Sequence, residues 1–177
     1  GGSTIQMDWS LCIATLNRQA VLIKTLNYAV QQTRPPRQVV VVDTSDNWRE
    51  TAALAKASLA ERPEIDLVYM TSEVRSSAVQ RNLGLEQCQY DIVFMIDDDS
   101  FMYENCAEEV LKVYECDAQK AVACVSAKLV RVPPSGMEGG AGFRRKSSGR
   151  RQKGWIKNRI LSSRAGRWIN RKVLFQN

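Results

Sequence analysis

The chain of 177 residues is 44% hydrophobic and carries a formal net charge of +6, a size and composition that suit one soluble domain with a sizeable core. It contains no histidine and five cysteines that form no CxxC pair, which argues against a zinc site, a His-based triad or a disulfide framework. No apolar run approaches the roughly 18 residues that span a bilayer. The charge is divided. Residues 1–143 hold 13 Lys/Arg against 19 Asp/Glu, whereas residues 144–177 hold 12 Lys/Arg and no acid. An acidic body therefore precedes a strongly basic tail.

Residues 1–8, opening on Gly-Gly-Ser, are expected to be a tag remnant and extension. Residues 9–15, "WSLCIAT", predict a first strand. Residues 38–43, "QVVVVD", predict a second, apolar on consecutive positions as a strand covered on both faces must be. "DLVYMT" at 66–71, "DIVFMID" at 91–97 and "AVACVSA" at 121–127 repeat the pattern. Helices are expected between them. In 19–32, Leu22, Leu26, Ala29 and Val30 share a stripe and Pro35-Pro36 ends it. Residues 50–61 are rich in Ala and Leu, and 76–87 turn Val79, Leu83 and Leu85 toward a core. Asn105 and Glu108 have capping-box spacing before "VLKVY". Strands alternating with helices of this length predict an α/β domain over 9–132, with a Rossmann-like, mostly parallel sheet and helices on both faces. Residues 133–177 read as a Gly-rich loop and basic tail, the possible start of a truncated acceptor half.

Ligands of such sheets bind beyond the carboxyl ends of the strands. Polar clusters stand at three of those ends: "TLNR" (15–18), "DTSDN" (43–47) and the triplet Asp97-Asp98-Asp99. Three adjacent anions at the mouth of a buried strand repel one another unless a cation joins them. A magnesium- or manganese-sized ion on a diphosphate takes one or two protein carboxylates. Alternation along the strand lets Asp97 and Asp99 face one pocket, with Asp98 turned away or gripping a neighbouring backbone group. The plainer reading is a solvated acidic turn.

The segments "LCIATLNR", "QVVVVDTSD" and "SSAVQRNLGLEQCQYDIVFMIDDDS" resemble, in order and spacing, the successive signatures of family 2 glycosyltransferases, which have the GT-A nucleotide-sugar fold. The resemblance covers about residues 9–130. It implies a metal-dependent, inverting enzyme that moves a sugar from a nucleotide-diphospho-sugar, a UDP- or GDP-sugar, to a glycan or lipid-linked acceptor. Thr15, Asn17 and Arg18 would then line the nucleotide pocket. Asp43 would accept hydrogen bonds from the base, and Arg81 would lie near the donor. Asp97, Asp98 and Asp99 would meet the ribose and the diphosphate, with Asp97 and Asp99 holding Mn2+ or Mg2+. Each residue keeps a plainer role beside this one. Asn17 could cap the helix near Gln19, Asp43 could end a strand, Arg81 could pair with Glu86, and Gly84 could serve close helix–sheet packing. Cys12 and Cys124 read as small core residues.

The pattern departs from the family in one respect. The acid pair that usually supplies the general base has no counterpart, since the only acid after Asp117 is Glu138. No catalytic residue is assigned, and a non-catalytic nucleotide-binding or scaffold module of the same fold is the alternative. A haloacid-dehalogenase-like phosphatase also places DxD after a strand, but it wants Thr or Val where this chain has Phe101. The tail, with Trp155 and Trp168 among its cations, suits an anionic membrane surface; a solvated tail, or a segment packed on the acidic body or on a second subunit, is the plainer reading, and nucleic acid is the weaker one. A cytoplasmic protein, peripheral at the inner face of the membrane, is the expected location.

Overall fold

The fold is given by a computed structural model that describes residues 6–127 and 161–164. In chain order the elements are β1 (Trp9–Thr15), α1 (Gln19–Val30), β2 (Gln38–Asp43), α2 (Trp48–Ser58), β3 (Asp66–Met70), α3 (Ser77–Gln87), β4 (Ile92–Asp97), α4 (Cys106–Glu115), β5 (Cys124–Ser126) and β6 (Leu161–Arg164). They build one sheet in the order β3-β2-β1-β4-β6-β5. β1, β2, β3 and β4 run parallel, and β6 is antiparallel to both its neighbours.

Alternation along the strands sends side chains to two cores. Trp9, Leu11 and Ile13 of β1 join Ile92, Phe94 and Ile96 of β4 beneath α1, α2 and α4. Cys12, Val93 and Met95 face the other way, against Leu85 of α3. The expected two-sided cover is therefore present, with three helices on one face and α3 on the other. The chain leaves β1 for β2 and β3 on one side and returns to β4 on the other. The sheet order thus reverses between β1 and β4, where such folds open a crevice. The register places Thr15 opposite Asp43 and Ala14 opposite Asp97, so two of the polar strand ends flank the third.

Three local expectations are corrected. Asn105 stands at the N-cap of α4 without a side-chain cap bond, and Glu108 accepts from Thr33 Oγ1 at 3.0 Å. The N-terminal N–H of Ala107 goes to Gln32 Oε1 at 3.0 Å, so a side chain from the end of α1 caps α4. The strand expected over 121–127 shortens to Cys124–Ser126, because Asp117 captures the N–H groups of Ala121 (3.0 Å) and Val122 (2.7 Å). Cys124 itself is exposed. It lies on the outermost strand and not in the core.

The largest difference is β6, which lies within the segment read as loop and tail. Its small polar residues give no strand signal because their burial is supported by hydrogen bonds, not apolar area. Ser162 Oγ meets Tyr114 Oη at 3.0 Å and donates to Val125 O at 3.0 Å. Arg164, 7% exposed, pairs with Asp91 and Asp117, each at 3.2 Å, and stacks over Tyr114. One of the twelve tail cations is thus an internal bracket. Among the described residues no helix is long and apolar enough to cross a membrane.

Candidate functional site

The site grows from the loop after β1. Asn17 adopts a left-handed backbone (φ 53°), a conformation that Asn tolerates better than most residues. Its N–H donates to Ser45 Oγ at 2.6 Å, which ties the β1 loop to the β2 loop. The exposed Asn17 side chain does not cap α1, whose N-cap is Arg18 without a side-chain cap bond. From α3, Gln80 Nε2 donates to the carbonyls of Thr15 (3.0 Å) and Val42 (2.9 Å). Its Oε1 accepts from Thr44 Oγ1 at 3.2 Å. One buried amide thus fixes the ends of β1 and β2 side by side, and the sequence reading overlooked it although it precedes Arg81.

The three carboxylates after β4 take different partners. Asp97 Oδ1 accepts from Arg81 at 2.8 Å, so Arg81 reaches the end of β4. Asp98 is turned inward and accepts from Thr15 Oγ1 and Arg18, both at 2.8 Å, while Thr25 Oγ1 donates to its carbonyl at 2.5 Å. Its carboxylate therefore grips the side chains of Thr15 and Arg18; of the two expected arrangements, turned away or holding a backbone group, the second is not the one seen. Asp99 shares Arg18, at 3.3 Å. The ion pairs thus group Asp98 with Asp99, and Asp97 stands apart with α3. Burial holds the Asp98 carboxyl above its ordinary value. The Thr15 hydroxyl and the Arg18 guanidinium pull it back, and the Asp99 and Asp97 charges push it further up. Three carboxylates meet two guanidinium groups, a balance that favours one more cation.

Asp43 is buried. Its Oδ1 accepts from Ser45 N–H at 2.8 Å and its Oδ2 from the Tyr69 hydroxyl at 2.5 Å. Gly84 lies against the sheet as close packing requires, since a Cβ there would stand 2.5 Å from Cys12 Sγ. Glu138, Trp155 and Trp168 lie outside the described residues.

Among the described residues no three acids or thiols gather into a metal cage. The side chains of Asp97 and Asp99 are 21% and 19% exposed, and carboxylate oxygens are the ligand type that a hard divalent cation takes.

A reversing, mostly parallel sheet with a carboxylate triplet at its switch point defines an α/β fold of the GT-A nucleotide-sugar transferase class. Two solved structures share it. The mannosyltransferase PcManGT from Pyrobaculum calidifontis, in complex with GDP-Man and Mn2+, superposes with a TM-score of 0.58 at 22% identity, over 71% of this chain and 36% of that one. TarS 1–349 of S. aureus superposes with a TM-score of 0.51 at 19% identity, over 67% and 34%. The family model for glycosyl transferase family 2 matches residues 10–175, and the chain belongs to that family. A Bacillus subtilis (strain 168) relative, the uncharacterized glycosyltransferase YwdF, is 28% identical over 110 residues, 62% of this chain and 39% of its own length. The chain therefore spans little more than a third of these relatives.

Proposed function

We propose that the chain forms the donor-binding part of a glycosyltransferase that moves a sugar from a UDP- or GDP-sugar to a glycan or lipid-linked hydroxyl, with inversion. The observation that carries this reading is the bracket of Asp97, Asp98 and Asp99 by Arg18, Arg81 and Thr15 at the switch point of the sheet. Asp98 is the internal post. It sets the height of Arg18 and fixes the backbone from which Asp97 and Asp99 project. Thr15, Asn17 and Arg18 form the floor of the nucleotide pocket, Asp43 meets the base, and Asp97 meets the ribose.

A diphosphate entering here brings negative charge beside carboxylates, so both guanidinium groups gain a second anion to hold. Asp97 and Asp99 would hold Mn2+ or Mg2+, which when bound neutralises charge on the departing diphosphate. The binding of PcManGT to GDP-Man with Mn2+ supports both the donor class and the metal. Inverting displacement needs a base beside the attacking hydroxyl, a role assigned to no residue here.

A thermal-shift panel of UDP, GDP, CDP and ADP, each with and without Mn2+, tests the proposal. One nucleotide should raise the melting midpoint only in the presence of the metal, because a ligand of the folded state stabilises it by mass action. No shift with any of the four would remove the donor reading.

A further inference from the structure

Asp43 closes β2 and is only 1% exposed. Both carboxylate oxygens already have donors, and the two donors differ in kind. The Ser45 N–H belongs to the backbone of the loop after β2. That loop is pinned by Asn17 N–H on Ser45 Oγ (2.6 Å), by Thr44 N–H on Thr15 O (3.2 Å) and by Thr44 Oγ1 on Gln80 Oε1 (3.2 Å). Tyr69 is a half-buried side chain on β3, the edge strand of the sheet, and it reaches Asp43 Oδ2 through rotatable bonds. Burial first, and the Asp43 hydrogen bond second, push its phenol above the ordinary value of 10.0, so at neutral pH it donates.

A carboxylate this covered cannot meet a ligand while both donors stay in place. Of the two, only the phenol can move without breaking the loop. It also has somewhere to go. Thr51 on α2 lies near the Tyr69 hydroxyl, and Gln19 Nε2 donates to Thr51 Oγ1 at 3.0 Å.

We propose that Tyr69 is a specificity-determining residue of the donor site, its hydroxyl holding the place on Asp43 Oδ2 that an N–H of the nucleotide base takes on binding. The inference rests on the proposed role of Asp43. A base gains the site only by offering a donor that replaces the phenol, as uracil N3–H or guanine N1–H can. A base whose ring nitrogen at that edge is an acceptor sets a lone pair against the carboxylate, and only its exocyclic amine, from a shifted position, could replace the phenol. Tyr69 thereby raises the threshold that Asp43 alone would set.

The test is calorimetric titration of UDP, GDP and inorganic pyrophosphate, with Mn2+ present, into the parent chain, Tyr69→Phe and Asp43→Ala. Tyr69→Phe keeps the ring and removes only the competing donor. It should bind the nucleotide preferred by the parent about three- to tenfold tighter, from the lost charged hydrogen bond, with pyrophosphate affinity unchanged and a lower melting midpoint. A merely structural tyrosine would lower the midpoint without tightening binding. If Tyr69→Phe binds that nucleotide equally or more weakly while Asp43→Ala weakens nucleotide but not pyrophosphate, the Tyr69 assignment falls and the Asp43 reading stands. If Asp43→Ala binds nucleotide as the parent does, or the parent binds neither UDP nor GDP, both fall.

Discussion

The thiol of Cys12, in the middle of β1, stands 2.5 Å from where a Cβ on Gly84 of α3 would lie. Val42 Cγ2 is 3.3 Å from the same point, so α3 seats on β1 and β2 only because that residue has no side chain. α3 also carries Gln80 and Arg81, and the seating at Gly84 therefore sets how far those two groups reach over the strand ends.

Gly84→Ala should lift α3 from the sheet and destabilise the fold by about 1–3 kcal/mol through overpacking. Urea denaturation measures the loss. Adding Cys12→Ala to make room should recover part of it, and nucleotide binding should weaken in the single variant and return in the double.

Arg164→Met should destabilise the β4–β6–β5 edge, because the guanidinium serves both Asp91 and Asp117. The two partners should not matter equally. Asp91 is 61% exposed at its side chain and Asp117 10%, so Asp91→Asn should cost little and Asp117→Asn much more. The N–H of Val122 above all, against burial and with help from the N–H of Ala121 and from Arg164, holds the Asp117 carboxyl below the ordinary value. Thermal midpoints of the three variants give the ranking. Hydrogen exchange should show β5 losing protection first in Arg164→Met.

Acid should loosen the start of the chain through Glu115. Its burial works against the charged form, but Arg34 (2.6 Å) and the Met7 N–H (3.0 Å) outweigh it and hold the carboxyl below its ordinary 4.5. The folded pKa is the lower one, so the stabilisation is full above the unfolded value and is lost as pH falls through the folded value. Glu115→Gln should be less stable than the parent at pH 7. The gap should start to narrow as pH falls through the ordinary Glu value and close only below the lower folded one, as urea midpoints across the acid range would show.

Much of this was legible in the sequence, for identifiable reasons. β1, β2 and β4 are apolar on consecutive residues because both faces are covered, and a run of that kind has few other uses. β6 was not legible. Ser162 and Ser163 are buried through hydrogen bonds to residues some 40 positions away, and no local pattern encodes such a partner. α4 is capped by Gln32 across 75 positions, which a capping-box search cannot see. At the site, the Asp triplet announced itself by its unusual charge. Gln80 and Tyr69 did not, since each looks like an ordinary helix or strand residue until its partners are placed beside it.

The basic tail should hold the protein to anionic vesicles. Leu161–Arg164 belongs to the sheet, so deletion would remove a strand, and charge neutralisation is the cleaner test. The parent should co-sediment with phosphatidylserine vesicles at low salt, and replacing Arg144, Arg145, Lys146, Arg150, Arg151 and Lys153 by Gln should abolish it. Each cation near such a surface contributes about 1 kcal/mol, screened over a Debye length. Equal pelleting of both proteins would exclude the tail as an anchor.

Calorimetric titration of UDP and GDP into the parent chain and Asp99→Asn, each with Mn2+ and again with chelator, tests the donor site most directly. One nucleotide should bind the parent with Mn2+, and either chelator or Asp99→Asn should weaken it by about tenfold or more, the loss of roughly 1.4 kcal/mol or more of binding energy. The same affinity with metal, with chelator and in Asp99→Asn would contradict a metal-diphosphate site at the end of β4.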